Sequence, residues 1–265
     1  MKKSDPRFLA LLREGSTIDG AYTAEAGSVS NRIKNFLKKW PWLFNLLKKL
    51  IGPNHSPGSG FHLRGRIEKL FGDTPGNKVV LNLGSGTNRV HPEVLNVDIF
   101  AFKNVDIVAD INDMPLRDEV VDGIVCDTVL EHLRDPLGAL QEMSRIMRPG
   151  GTLILSVPFL YPYHSSPDDF FRWTEEGIRH VLKRTHFQVE ELSALGGPMG
   201  ALQGVLMHIF AILFSFGSKT AYFLLVQFFM ALFSPLKILD LFFMRFPYAI
   251  EVSSGIFVVA QKNKS

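Results

Sequence analysis

Short apolar strands alternate with helical patterns from Asn77 to about Ser193. This alternation is typical of parallel βα units, in which helices pack on both faces of one sheet. Helices are predicted near Pro136 to Met147 and Thr174 to Lys183, where apolar residues recur at helical spacing. Strands are predicted at KVVLNL, EVLNVDI, VDIVAD, VDGIVCD, GTLILSV and FQVEELS, with SSGIFVVAQK as a last strand. The sequence therefore predicts an α/β fold built on a doubly wound sheet.

The composition is that of a globular chain in a reducing compartment. It has 265 residues, of which 46% are hydrophobic and 21% charged, so it can bury a sizeable core. A net charge of +3 is too small to indicate a nucleic-acid partner. The single cysteine, Cys126, lies in an apolar run, which predicts a buried thiol and excludes a disulfide framework. The opening MKKSDPRFLALLREG has too short an apolar stretch for a cleaved secretory signal, so we expect a cytoplasmic protein.

Residues 1–60 are predicted to form a basic amphipathic segment. No acidic residue occurs from Gly27 to Ile67, and lysines alternate there with Trp and Phe. Such a segment is drawn to anionic lipid headgroups, each basic residue adding about 1 kcal/mol near the surface. The alternative is a lid over the ligand cleft with a solvated lysine face.

A very apolar segment, residues 196–247, follows the predicted core at 61–195 and precedes the closing strand and tail at 248–265. It predicts two helices, each close to the roughly 20 residues of a membrane span, although they contain Gln203, His208, Gln227 and Pro235. Three interpretations stay open: a core or interface between copies of the chain, a hairpin in one leaflet, or a hairpin that spans twice. With the basic segment, these helices favour peripheral or monotopic association with the inner face of the plasma membrane.

A glycine turn follows the first predicted strand, in LNLGSG. Gly84 and Gly86 allow a tight turn and the close approach of a ligand to the backbone. Asp98 ends the second strand, where a carboxylate can accept hydrogen bonds from the ribose hydroxyls of a nucleoside. The third strand ends in Asp110-Ile111, a pair that suits the amino group and face of an adenine. A dinucleotide fingerprint would need a small residue at Arg89, and no GK(S/T) of a phosphate loop follows.

These pieces together resemble the class I S-adenosylmethionine-dependent methyltransferases, in particular those of methyltransferase type 11. NLGSG, NVDI and ADINDMPLRDEVVDGIVCDTVLEHLRDPLGALQEMSRIMRPGGTLILSVPF occur in the family's order. The resemblance covers about Asn77 to Thr185, with the closing strand at Gly255 to Gln261. It implies S-adenosylmethionine as cofactor. It also implies a Rossmann-like seven-stranded sheet with an antiparallel last strand, before which the apolar helices are inserted.

The resemblance also implies a set of cofactor residues. The glycine turn would wrap the methionine part of the cofactor, Asp98 would hold the ribose, and Asp127 with Thr128 would lie near the sulfonium. The full set is Leu83, Gly84, Ser85, Gly86, Asp98, Ile99, Asp110, Ile111, Asp127 and Thr128. In one departure from the family, eleven residues separate Gly86 from Asp98, so the helix usually found there is predicted to be very short or absent.

The candidate catalytic residues His132, His164 and Asp168 lie after the fourth and fifth strands, at the carboxyl edge where open α/β sheets bind ligands. Each could act as a general base if the acceptor is a hydroxyl. The segment PFLYPYHSSPDDFFRWTEEG resembles a loop of bacterial methyltransferases associated with polysaccharide and lipid-linked glycan synthesis. Asp168 could instead cap a turn. Glu131, directly before His132, fits a solvated helix cap. Arg172 could bind an anionic group of the acceptor or pair with Asp169. The remaining histidines are scattered, so no metal site is predicted.

The leading hypothesis is a membrane-associated methyltransferase that methylates a hydroxyl of a glycan or lipid-linked saccharide. One alternative acceptor is an isoprenoid quinone or another hydrophobic small molecule. Another alternative is a non-catalytic scaffold that binds S-adenosylmethionine at the membrane, motivated by the short link between Gly86 and Asp98. The expected partners are the acceptor, an anionic membrane surface and a second copy of the chain, with no nucleic acid.

Overall fold

A computed structural model of the chain describes residues 9–14, 62–72, 78–164 and 168–264. Within them lies a seven-stranded sheet of order β3-β2-β1-β4-β5-β7-β6. Its strands are β1 Val80–Leu83, β2 Leu95–Asp98, β3 Ile107–Val108, β4 Val121–Asp127, β5 Met147–Pro158, β6 Phe187–Gly196 and β7 Gly255–Lys262. Strands β1 to β5 pair in parallel, whereas β7 runs antiparallel to both β5 and β6. The predicted Rossmann-like sheet with an antiparallel last strand is confirmed.

The helices of the described residues are α1 Leu63–Phe71, α2 Pro136–Ile146, α3 Glu175–Arg184, α4 Pro198–Ser215, α5 Lys219–Phe233 and α6 Asp240–Phe243. Helix α2 begins where the sequence predicts, because Pro136 occupies its first turn and the Asp135 carboxylate accepts from the Gly138 amide. Thr174 caps α3 in the same way through the Gly177 amide. The predicted basic segment, residues 1–60, lies outside the described residues apart from 9–14.

No helix connects β1 to β2, as the short spacing predicted. Helix α1 instead packs Ile67 and Phe71 into a cluster with residues of β1, β4, β5 and β7, which include Val80, Val125 and Phe257. Arg66 of α1 also forms a two-point ion pair with Glu191 of β6, with 2.6 Å between Nη2 and Oε1. An element that precedes the family-like segment therefore covers part of one sheet face.

Helices α4 and α5 form the apolar insertion before β7. They pack together through Met207, Ala211, Val226 and Phe229, and His208 Nδ1 lies 2.7 Å from the Tyr222 hydroxyl. Many of their other apolar side chains are exposed, among them Ile212 and Leu213. The segments Pro198–Ser215 and Lys219–Phe243 are long and apolar enough to cross a membrane, but a core helix of a soluble protein meets the same criterion.

The N-terminus of α4 is capped by a residue from far along the chain. Asp240, which is fully buried, accepts hydrogen bonds from the Met199 amide at 2.9 Å and the Gly200 amide at 3.1 Å. Gly197, at the cap position itself, has no side chain to do this. A carboxylate at this place satisfies amides that lack a helical partner and interacts favourably with the helix dipole.

Replacing Asp240 with alanine is expected to lower the free energy of unfolding by about 2 kcal/mol, because buried amides at the start of α4 lose their acceptor. Thermal and chemical unfolding followed by circular dichroism measure this. Asp240→Asn keeps one acceptor oxygen and should lose about half as much. Equal unfolding midpoints for Asp240→Ala and the unchanged protein would show that the cap contributes nothing.

Candidate active site

The glycine turn after β1 is shaped by two residues in the left-handed region. Gly84 has φ of 64° and Gly86 has φ of 54°, values that favour glycine. A Cβ built on Gly84 would lie 2.6 Å from Cγ2 of Val129, so the turn packs tightly against the segment after β4. A Cβ on Gly86 would have no atom within 4 Å, so this side of the turn is open. The first glycine thus serves close packing and the second leaves space for a ligand.

Asp98 is joined to the glycine turn by its side chain. Its Oδ2 accepts from the Gly86 amide at 2.8 Å, and its Oδ1 accepts from the Phe100 amide at 2.9 Å. Each carboxylate oxygen retains a second lone pair, so the group can still accept from two hydroxyls. The buried Ser85 hydroxyl oxygen has no hydrogen-bond partner among the described residues. The turn therefore offers carboxylate acceptors next to the open side at Gly86, and a buried hydroxyl without a partner.

Arg89 holds the short link between the glycine turn and β2. Its guanidinium donates to the Val94 carbonyl at 2.9 Å and forms an ion pair with Asp106 at 2.8 Å. Asp106 in turn accepts from the Asn96 amide of β2 at 2.8 Å. Arg89 thus replaces the usual connecting helix by tying the loop to the second and third strands.

The remaining predicted cofactor residues lie at the same carboxyl edge of the sheet. Ile99 is 40% exposed directly after Asp98, which leaves an apolar surface available to a base. Asp110 is exposed and its Oδ1 accepts from the Asn112 amide at 2.9 Å, whereas Ile111 is buried. Asp127 accepts from the Ser156 hydroxyl, and Thr128 has φ of 53°, an uncommon conformation for a β-branched residue.

A second group of polar side chains lies beyond β4 and β5. Glu131, in the short 3-10 turn Leu130–His132, is fully buried, and neither carboxylate oxygen has a hydrogen-bond partner among the described residues. Its Oε1 lies 3.7 Å from Nε2 of His132 and 3.7 Å from Nε2 of His164. The two imidazole rings meet edge to face, with centroids 5.2 Å apart. We call these three residues the Glu–His–His cluster.

Asp169, rather than Asp168, supplies the buried carboxylate that fixes the loop after β5. It pairs with Arg172 through both oxygens, at 2.5 and 2.6 Å, and accepts from the His164 amide at 2.8 Å. Burial acts to raise the pKa of Asp169, but its bonds to Arg172 and His164 lower this pKa to about 2. The Asp168 side chain is exposed, and this residue contributes its backbone carbonyl, 2.5 Å from Nδ1 of His132.

Sequence reasoning did not single out this cluster as a unit. In the sequence, Glu131 fitted a solvated helix cap. In the structure it is fully buried, and its carbonyl accepts from the Phe170 amide of the loop after β5. His132 and His164 are 32 positions apart in sequence and meet through the fold, so no spacing motif marks them. Residues 165–167 of the loop lie outside the described residues.

The methyltransferase domain family matches residues 81–155, the segment from β1 to β5 that carries the glycine turn and Asp98. The chain carries a class I S-adenosylmethionine-dependent methyltransferase domain. The chain is 43% identical over 51 residues to a 37.1 kDa protein in a transposon of Streptomyces fradiae, a match to 19% of this chain and 15% of that protein. The comparison with that relative thus concerns only a small part of either protein.

Two solved methyltransferases are similar to this chain at low identity. Phosphoethanolamine N-methyltransferase 2 of Haemonchus contortus is 16% identical, with a TM-score of 0.49 over 90% of this chain and 61% of that one. The 1,6-didemethyltoxoflavin-N1-methyltransferase of Burkholderia thailandensis is 12% identical, with a TM-score of 0.47 over 94% and 99% of the two chains.

The residues of the methyltransferase domain fit the cofactor of this family. Asp98 has lone pairs available for two ribose hydroxyls, Ser85 has an unused hydroxyl, and no atom lies where a side chain at Gly86 would stand. Leu83, the last residue of β1, is fully buried and anchors the start of the glycine turn in the core. The exposed Ile99 side chain adds an apolar surface next to Asp98. Bare backbone, a carboxylate and an apolar side chain together match a nucleoside with a flexible amino-acid arm.

Proposed function

We propose that this chain transfers a methyl group from S-adenosylmethionine to a hydroxyl of a lipid-linked saccharide at a membrane surface. The observation that carries the proposal is an apolar groove of about 610 Å³ that adjoins the loop bearing His164. One wall is the loop after β5, and the other is a face of α4. Among its lining residues are Phe159, Tyr161, Leu202, Val205, Ile209 and Ile212.

The groove suits a chain of methylene or isoprenoid groups. Except for Tyr161 and His208, the side chains that line it are apolar. Each buried methylene group contributes about 0.8 kcal/mol, so an occupant several carbons long would be held without polar contacts. Val205 and Ile209 are about half exposed in the empty groove, so a lipid would cover apolar surface that now meets water.

The groove leads to the polar cluster through Tyr161. Its ring meets the ring of His164 edge to face at 4.9 Å between centroids. Burial raises the pKa of Tyr161 to about 12, against the opposing charge of Arg172, so its hydroxyl stays protonated near neutral pH. An acceptor with its tail in the groove would therefore present its polar head at the Glu–His–His cluster.

The chemistry needs alignment and removal of one proton. Bound S-adenosylmethionine supplies an electrophilic methyl group on its sulfonium. Asp98 and the glycine turn orient the nucleoside, and such positioning can lower the barrier by several kcal/mol. A hydroxyl must lose its proton as its oxygen is methylated, and Nε2 of His132 or His164 is placed to accept that proton. The backbone carbonyl of Asp168 accepts a hydrogen bond from Nδ1 of His132 and so fixes the orientation of that ring.

The exposed apolar side chains of α4 and α5 support a membrane setting. Ile212, Leu213 and Phe228 are each about 60% exposed, which is costly in water over so many neighbouring positions. We propose that this surface enters one leaflet and that the basic N-terminal segment adds attraction to anionic lipids. Flotation of the full chain with anionic and neutral vesicles tests this. Self-association without flotation would instead favour an interface between copies.

Incubation of the full chain with methyl-labelled S-adenosylmethionine tests the reaction. We expect label in a polyprenyl-linked saccharide and little in the same saccharide without its lipid. Label in a quinone but not in the saccharide would favour the hydrophobic small-molecule acceptor. Tight cofactor binding without label in any lipid or glycan fraction would favour the non-catalytic scaffold.

A charge in the groove should separate acceptor binding from cofactor binding. Val205→Asp is expected to lower kcat/KM for the lipid-linked acceptor by about tenfold or more, because a carboxylate resists burial beside an apolar chain. Its affinity for S-adenosylmethionine should not change. Leu224→Asp, at a similarly exposed position of α5 outside the groove, is the matched control. Equal losses in both variants would count against the groove as the acceptor site.

A further inference from the structure

We propose that the Glu–His–His cluster binds a divalent transition-metal ion. Glu131 Oε1, His132 Nε2 and His164 Nε2 would be its three protein ligands. These three atoms lie within 4.8 Å of one another. Two histidines and one carboxylate with a remaining open position form a known ligand set for catalytic zinc and for other divalent metals.

The distances fit a metal better than a hydrogen bond. Oε1 of Glu131 lies 3.7 Å from each Nε2, which is too long for a direct hydrogen bond. In a tetrahedral zinc site with bonds of about 2.0–2.1 Å, ligand atoms lie about 3.4 Å apart. The two separations from the carboxylate oxygen are thus close to those around a bound ion, and the two Nε2 atoms, which lie within 4.8 Å of each other, would move inward on binding.

The partners of the two Nδ1 atoms indicate which nitrogen of each imidazole carries the hydrogen. Nδ1 of His132 lies 2.5 Å from the Asp168 carbonyl, which only accepts, so Nδ1 carries the hydrogen. Nδ1 of His164 lies 3.3 Å from both the Asp169 carboxylate and the Pro162 carbonyl, which accept, and 3.5 Å from Nη2 of Arg172, which only donates. In a neutral ring, Nε2 of His132 therefore directs its lone pair into the cluster, and the two nearer acceptors favour the same tautomer for His164. A carboxylate or carbonyl on the opposite nitrogen is the usual outer-shell arrangement of a metal-binding histidine.

The charge of Glu131 also calls for a cation at this place. A fully buried carboxylate without a hydrogen-bond donor is costly, and here it faces two lone pairs. Arg172 lies within electrostatic reach of Glu131 but donates to Asp169 and to the Tyr161, Pro162 and Phe171 carbonyls. An ion among the three ligand atoms would neutralise the carboxylate and accept one lone pair from each of those atoms.

The role of the ion, unlike its binding, rests on the proposed function. The open position would take the oxygen of the acceptor hydroxyl and lower its pKa, as catalytic zinc does for water. The proton then leaves to solvent, the oxygen forms a bond to the methyl carbon, and the carbon–sulfur bond breaks to give S-adenosylhomocysteine. The two imidazoles would thus act as ligands in place of general bases.

Metal binding can be measured without an acceptor. The full chain, freed of any affinity tag, is equilibrated with Zn²⁺ and desalted, and its zinc is measured by mass spectrometry. Competition with a chromophoric chelator gives the affinity, and Co²⁺ substitution gives d–d bands that report the ligand geometry. We expect one ion per chain and a Co²⁺ spectrum typical of four or five ligands.

Single substitutions in the cluster test the assignment of the ligands. Glu131→Gln and His164→Ala should each weaken Zn²⁺ binding by more than about 100-fold, beyond the loss expected for an outer-shell partner. His180→Ala, an exposed histidine on α3, should bind Zn²⁺ as the unchanged protein does. Affinity for S-adenosylmethionine, measured on every variant, shows that each remains folded.

Two outcomes would overturn the metal site. One is a folded chain that binds S-adenosylmethionine but retains no zinc or cobalt, in which case an imidazolium proton occupies the cluster. The other is zinc binding that survives both Glu131→Gln and His164→Ala. Failure of all lipid and glycan acceptors would leave the binding result intact, so the two proposals fail separately.

Discussion

Replacing Asp98 with alanine is expected to weaken S-adenosylmethionine binding by about 100- to 1000-fold, or about 3–4 kcal/mol. The substitution removes the carboxylate from two ribose hydroxyls, and a hydrogen bond to a charged group contributes about 1.5–3 kcal/mol. It also removes the acceptor of the Gly86 amide, 2.8 Å from Oδ2, so the glycine turn is left with the Ser85 amide bond to the Val97 carbonyl of β2. Both losses act on the free energy of binding.

Calorimetric titration of the full chain with S-adenosylmethionine measures this effect. Asp98→Asn keeps the shape of the side chain and one acceptor oxygen, so its loss should be intermediate. Glu176→Ala, at an exposed position in the first turn of α3, should leave the affinity unchanged. If Asp98→Ala binds the cofactor as tightly as the unchanged chain, the nucleoside does not lie at this carboxylate.

Alanine at the two glycines of the turn should have different main effects, on stability at Gly84 and on cofactor binding at Gly86. Gly84→Ala is expected to lower the free energy of unfolding by about 3 kcal/mol or more, because its methyl group would lie 2.6 Å from Val129 in a left-handed conformation. Gly86→Ala carries only the conformational cost of about 1–2 kcal/mol, since nothing lies within 4 Å of its added methyl group. The same methyl group enters the cofactor space and should weaken S-adenosylmethionine binding by about tenfold or more.

Unfolding curves and cofactor titrations on both variants distinguish these effects. In the double variant Gly84→Ala, Val129→Ala, the smaller neighbour should recover part of the stability lost in Gly84→Ala alone. A Gly86→Ala chain that is folded and binds the cofactor normally would show that the open side of the turn is not the binding side.

The parts of this fold that depend on local sequence were predictable. Strand β4 spans Val121–Asp127 as its apolar run indicated, and helix α2 is one residue shorter than its apolar spacing suggested. The glycine turn and Asp98 were also found, because each follows directly from a strand end. Cys126 is buried, as its apolar surroundings predicted, and burial raises the pKa of its thiol.

The acceptor side was less predictable because it is made by tertiary contacts. Asp168 and Asp169 are neighbours in an irregular loop, where no periodicity tells which carboxylate faces inward. The Arg172 guanidinium and the His164 amide decide this in favour of Asp169. The burial of Glu131 likewise depends on packing between two segments distant in sequence, and a solvated position and a buried one have the same local pattern.

No helix connects β1 to β2, and α1, from an earlier part of the chain, packs on the sheet instead. A fragment that folds by itself would therefore need this earlier part. The segment that matches the methyltransferase family, residues 81–155, excludes α1, whose Ile67 and Phe71 lie against Val80, Val125 and Phe257. A fragment of residues 81–155 would lack α1 and β7, so Val125 would lose these apolar neighbours and β5 would lose its antiparallel partner. We therefore expect an autonomous folding unit of this chain to include both α1 and β7.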